Sequence, residues 1–155
     1  MSLYYLDSSA LVKRYVTETG TRWIQGLTDP ASGNTVIIAT LTRIEAAAAL
    51  AARHRAPGGI TRAERDGAVA LLDRHCNREY ILIPNDSAIL DRALILTQNH
   101  RLRGYDAVQL ATALIVNDRY LAAGLSALTF VAADDDLLAA AQTEGLASDN
   151  PNAHP

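Results

Sequence analysis

Four acids stand where the chain changes from one pattern to another. Asp7 ends the apolar run Leu3–Leu6, and Glu45 lies early in the helical stretch LTRIEAAAAL. Asp106 opens the helical pattern of LRGYDAVQLATAL, and Asp134 leads Asp135 and Asp136 after LTFVA. Brought within a few ångströms of one another, four carboxylates repel, and at least one must protonate unless a cation sits among them. All-oxygen ligands suit a hard divalent ion, Mg2+ or Mn2+. No histidine or cysteine stands at a matching position: His54, His75 and His100 read as surface or capping residues and Cys76 as packing, so zinc is not expected. A carboxylate-held Mg2+ polarises a phosphoryl oxygen, lowers the pKa of a bound water and stabilises the leaving oxygen. With two ions the outcome is in-line hydrolysis of a phosphodiester.

Each acid also has a structural reading. Asp7 and Asp134 suit helix N-caps. Glu45 closes Thr42-Arg43-Ile44-Glu45 at capping-box spacing. Asp106 complements a helix dipole.

The elements that must position these acids alternate between strand and helix. Leu3–Leu6, Thr35–Ala39, Tyr80–Ile83 and Leu128–Ala132 read as buried strands, and Leu146–Ser148 as an edge strand. Helices are expected over Ser9–Tyr15, Thr21–Leu27 and Leu41–Arg53, then from the Thr61 cap to about Cys76. Further helices follow from Asp86 or Ser87 to Gln98, over Gly104–Val116, over Asp118–Leu125, and from Asp134 to near Gly145. This order predicts a three-layer α/β/α domain over residues 1–148 with a mainly parallel five-stranded sheet, and residues 149–155 as a frayed, flexible tail. In a parallel sheet the carboxyl ends of all strands share one edge. Asp7, Glu45 and Asp134 therefore fall on that edge by pattern alone. Asp106 joins them only if its helix begins there as well.

Totals narrow the classes. A chain of 155 residues with 49% hydrophobic content builds a core without disulfide or structural metal. The net charge of −3 excludes a binder that holds nucleic acid by its overall field. No apolar run approaches the roughly 20 residues of a membrane span, no leader is visible before Asp7, and one cysteine forms no intrachain disulfide; a cytoplasmic protein is expected.

The stretches LYYLDSSALVKRY, LTRIEAAAAL, LRGYDAVQLATAL and LTFVAADDDLLAAAQTEGL, in this order and spacing, resemble PIN-domain ribonucleases, most closely the VapC-type toxins of bacterial toxin–antitoxin pairs. The resemblance spans Leu3 to about Ser148. It implies a Mg2+- or Mn2+-dependent endoribonuclease, a homodimer, and inhibition by a cognate antitoxin whose tail occupies the acidic site. It places catalytic, metal-holding acids at Asp7, Glu45, Asp106 and Asp134, an additional metal acid at Asp136, and a supporting hydroxyl at Ser9. Lys13, Arg14, Arg43 and Arg103 lie close to the acids in sequence, and of these Arg14 and Arg43, with Ser9, are expected to contact RNA. One departure is Ala132, where relatives often carry Ser or Thr.

Two other readings stand beside this one. A catalytically inactive PIN-like domain would bind RNA or a protein partner without turnover. Phosphotransfer of the haloacid-dehalogenase kind, with Asp7 as nucleophile, requires a second acid two residues on, where this chain has Ser9.

Overall fold

The computed structural model describes residues 1–155. Five strands form one wholly parallel sheet: β1 (Leu3–Leu6), β2 (Thr35–Ala39), β3 (Tyr80–Ile83), β4 (Thr129–Val131) and β5 (Ala147–Asp149), in the order β3-β2-β1-β4-β5. Seven helices connect them: α1 (Ser8–Leu11), α2 (Thr21–Thr28), α3 (Thr40–Arg55), α4 (Arg62–Arg78), α5 (Ser87–Asn99), α6 (Gly104–Ala122) and α7 (Asp135–Thr143). The three-layer α/β expectation is met.

The period-2 alternation of the strands divides the core in two. Tyr5, Ile37 and Phe130 face α5, α6 and α7, and Tyr5 stacks on Phe130 with ring centroids 5.6 Å apart. Leu6, Val36, Ile38 and Val131 face the other layer, where Leu11, Ile24, Leu50 and Leu72 from α1 to α4 close over them. Burial on both faces explains why the strands read as continuous apolar runs. Chain order reverses beside β1: the path first steps to β2 and β3, then returns to β4 on β1's other side. Such a switch point leaves a crevice at the carboxyl ends of the strands.

Four expectations are corrected. The helix expected over Ser9–Tyr15 is one α-turn, α1, continued as a 3-10 turn, Val12–Arg14. The two helices expected over Gly104–Val116 and Asp118–Leu125 are one, α6. Asn117 does not break it, because its side chain accepts the Leu128 backbone N–H at 3.0 Å and so anchors the entry to β4. His75 is buried against Tyr15, with Tyr15 Oη and His75 Nδ1 2.9 Å apart. The segment 149–155 is packed: β5 runs to Asp149, Pro151 is buried, and His154 stacks on Trp23 at 4.2 Å. Gly20 gives Pro151 its seat. It lies at φ +86°, and any Cβ there would come within 2.2 Å of the Pro151 carbonyl oxygen.

Candidate active site

Asp7 ends β1 at the switch point and caps α1. Its Oδ1 accepts the Ala10 backbone N–H at 3.0 Å and the Ser9 hydroxyl at 2.7 Å. Ser9 Oγ in turn accepts the Ala133 N–H at 2.8 Å, tying the first acid to the segment that carries Asp134. Ala132, which brings no hydroxyl of its own, thus lies beside a residue already held by Ser9. The carboxyl of Asp7 is almost completely buried. Burial, with the Glu45 charge adding to it and the bonds from Ser9 and Ala10 opposing it, pushes its pKa up to about 7.

Glu45 lies in α3, not at a capping position: the helix starts at Thr40, with Ala39 as its N-cap. Its carboxylate accepts Gln109 Nε2 at 2.6 Å and Ser8 Oγ at 3.4 Å. Burial raises its pKa, and the Asp106 charge adds to the rise. Thr42 is buried and donates at 3.0 Å to Gln109 Oε1, which also accepts the Tyr5 hydroxyl at 2.7 Å. Gln109 therefore bridges both chemistries: its oxygen is held by two hydroxyls from the core, so its amide N–H groups are turned to Glu45. Being three residues beyond Asp106, it shares a face of α6 with it. Its only sequence signal is a glutamine within the apolar stretch Val108–Val116.

Asp106 stands in the first turn of α6, and that helix does begin at the carboxyl edge. Asp106, Asp134 and Asp136 line one cavity of about 410 Å³ with Arg101 and Arg103. Arg103 donates to Asp106 Oδ2 from its backbone N–H at 3.3 Å and from Nε at 3.2 Å. The bonds and charge of Asp106, with Asp134 and Glu45 behind it, hold the Arg103 guanidinium charged. Asp134 caps α7, accepting the Leu137 N–H at 3.0 Å. The structural readings of Asp7 and Asp134 thus coexist with membership of the acid group.

Residues 4–142 match the family model of the PIN domain. The chain belongs to the PIN-domain family. Its PIN fold is similar to that of a toxin–antitoxin complex from Klebsiella pneumoniae, with TM-score 0.56 and 19% identity over 86% of this chain and 88% of that one. FitAB bound to the IR36 DNA fragment matches at TM-score 0.63 and 14% identity, over 96% and 94% of the two chains. VapBC2 from Rickettsia felis, bound to a DNA fragment from its promoter, matches at 0.62 and 12%, over 96% and 98%. At such identities the likeness is one of fold. None of the curated proteins matches the chain.

The PIN-domain acids are held apart rather than caged. No three histidine, cysteine, aspartate or glutamate side chains are gathered closely enough to hold a metal ion. Protein donors occupy the carboxylates instead: Ser9 and Ala10 on Asp7, Gln109 and Ser8 on Glu45, Arg103 on Asp106. The donor chemistry nevertheless fits a hard cation. The acids offer hard carboxylate oxygens, and two of them are raised by burial and by like charge; His100, expected away from the acids, lines the same cavity, but its Nε2 is bonded to Glu144 at 2.7 Å.

The two arginines expected near the acids are elsewhere. Arg14 lies toward the amino edge of the sheet, bonded to the Tyr80 hydroxyl and, at 2.8 Å, to Glu79. Arg43 pairs with Asp73 across α3 and α4. No helix of the protein is long and apolar enough to cross a membrane.

Proposed function

We propose that this PIN domain is a metal-dependent endoribonuclease that hydrolyses RNA phosphodiester bonds, acting as the toxin of a toxin–antitoxin pair. One observation carries the reading. A buried carboxyl, Asp7, stands at the switch point with a second acid, Glu45, raising its pKa further, and Asp106, Asp134 and Asp136 border the same edge. An arrangement that places like charges together in a low-dielectric setting opposes folding, and a bound cation relieves it.

Asp7, Glu45, Asp106 and Asp134 would hold the ion or ions, with Asp136 at the rim. When bound, Mg2+ or Mn2+ supplies a Lewis acid for the phosphoryl oxygen and a water of lowered pKa. The chain's own residues do the rest. Ser9 and Gln109 fix the orientations of Asp7 and Glu45, as outer hydrogen bonds do for metal ligands. A carboxylate of Glu45 or Asp134 takes the proton from the attacking water.

A cognate antitoxin, a homodimer and a cytoplasmic setting belong to the same proposal, supported by the fold shared with toxin–antitoxin complexes. Incubating the full chain with structured and single-stranded RNAs, with Mg2+ or Mn2+ and with EDTA, tests it. Cleavage is expected only with the ion and only with Asp7 intact. Cleavage that survives both EDTA and Asp7→Asn overturns the reading, and Mn2+ binding without turnover of any RNA favours the inactive PIN-like alternative.

A further inference from the structure

The acids explain how a phosphodiester is attacked and leave open how a polyanion stays beside them. The chain carries a net charge of −3, and its carboxyl edge gathers acids. RNA needs positive charge at that rim.

Of the 13 arginines, eight make ion pairs with carboxylates and five do not: Arg22, Arg55, Arg74, Arg78 and Arg101. Among these five, only Arg101 lines the cavity of Asp106, Asp134 and Asp136. Arg103 lines it too. Its pairing with Asp106 is made from a side chain that is 83% exposed, and ion pairs of that kind hold weakly.

The loop between α5 and α6 is built to display these two side chains. His100 Nε2 is fixed to Glu144 Oε1 at 2.7 Å, and Leu102 packs against the core. The backbone is extended at His100 (ψ 150°) and at Arg103 (ψ 159°). Between them the Leu102 N–H donates to the His100 carbonyl at 2.9 Å, a γ-turn with Arg101 at its centre. His100 and Leu102 are half-buried, and Arg101 and Arg103 are exposed, a few residues ahead of Asp106. Guanidinium groups bind phosphate oxygens in bidentate fashion.

We infer that Arg101 and Arg103 grip the RNA phosphates flanking the bond that is cleaved, an inference that rests on the ribonuclease reading above. Neither side chain supports the core, so substitution leaves the fold intact.

The test uses the full-length Asp7→Asn chain, which retains bound RNA uncut, with a fluorescein-labelled single-stranded RNA followed by anisotropy across NaCl concentrations. For single strands the slope of log affinity against log salt falls by about 0.7 for each phosphate that is no longer neutralised. Arg101→Ala and Arg103→Ala are each expected to flatten the slope by about that amount. Arg101→Lys and Arg103→Lys should keep it, and so should Arg14→Ala and Arg43→Ala. A DNA strand of the same sequence should lose the same slope, because phosphates and not 2′-hydroxyls are read. In the otherwise unaltered chain, Arg101→Ala should raise KM more than it lowers kcat. If the parent binds RNA and the Arg101→Ala/Arg103→Ala chain keeps the full slope, this inference falls while the ribonuclease reading stands. If the unaltered chain neither binds nor cleaves RNA, both fall.

Discussion

Each end of the sheet carries a network of polar side chains, and the two are built on opposite rules. At the amino edge, Arg14 meets Glu79, Tyr15 and Tyr80 share a 2.8 Å hydrogen bond, and His75 packs edge-on to Tyr80. Burial alone would lower the Arg14 pKa, but the bonds to Tyr80 and Glu79 outweigh it and raise it. Burial first, and then the Arg14 charge, lower the His75 pKa, with Glu79 opposing. Each charge there has its opposite. At the carboxyl edge, Asp7 and Glu45 accept hydrogen bonds from neutral donors only and form no ion pair; Arg103 acts on Glu45 through its charge alone. A balanced network serves the fold. An unbalanced one is a cost that folding alone does not explain, and that imbalance separates the candidate site from the other polar cluster.

Breaking the unbalanced network should give the largest effect on activity. Asp7→Asn is expected to lower cleavage by more than about 100-fold, beyond the range typical for outer residues of metal sites. The same substitution should change the dependence of stability on pH. The Asp7 carboxyl titrates near 3.9 in the unfolded chain and at about 7 in the fold. Its preference for the protonated form therefore stabilises the fold fully below the unfolded pKa, and that contribution is lost as pH rises through about 7. Between pH 5 and 8, in metal-free buffer, the loss is on the order of 3 kcal/mol. Denaturant unfolding should show that loss in the unaltered chain and its absence in Asp7→Asn; parallel pH profiles for the two would refute the assignment.

Next comes Gln109→Leu. It frees Glu45 and leaves the Tyr5 and Thr42 hydroxyls without their acceptor. About 10-fold lower kcat and about 1–3 kcal/mol of lost stability are expected. A variant that loses stability alone would make Gln109 a core residue only.

The balanced edge should behave the other way. Glu79→Gln removes the partner of Arg14 and should cost about 1–3 kcal/mol by denaturant titration, with cleavage per folded molecule unchanged. The smallest effect is expected at Arg43→Ala, where an exposed pair with Asp73 is removed: about 0.2–1 kcal/mol, and no change in RNA affinity. A fall in affinity there would restore Arg43 as an RNA-binding residue and blur the contrast between the two edges.

The helix geometry explains why proximity in sequence misled for the two arginines. Arg14 follows Asp7 by seven residues, and helical chain rising about 1.5 Å per residue carries it roughly 10 Å away from the carboxyl edge. Arg43 precedes Glu45 by two, which turns it about 200° around α3 and onto the surface of the α3–α4 pair. Arg103 is the N-cap of α6, three residues before Asp106, and from that position its backbone N–H and Nε both reach the Asp106 carboxylate. Gln109 stayed hidden because an amide in an apolar helix reads equally as a solvent-facing residue. Only the approach of β1 and α3 from more than 60 residues away gives it partners.

The layers, the parallel sheet and the family are legible in the residues alone. Those follow from local periodicity and from strand–helix alternation, which short stretches of chain carry on their own. Equally legible is that acids end β1 and follow β4, since the residue after a buried strand falls at the sheet edge in any parallel arrangement. Long-range packing set the rest: the strand order that places β4 beside β1, the start of α6 at the same edge, the tie from Ser9 to Ala133, and which arginines stand beside the acids. These depend on which distant segments pack together, and that is fixed by the burial of two sheet faces at once rather than by any single stretch.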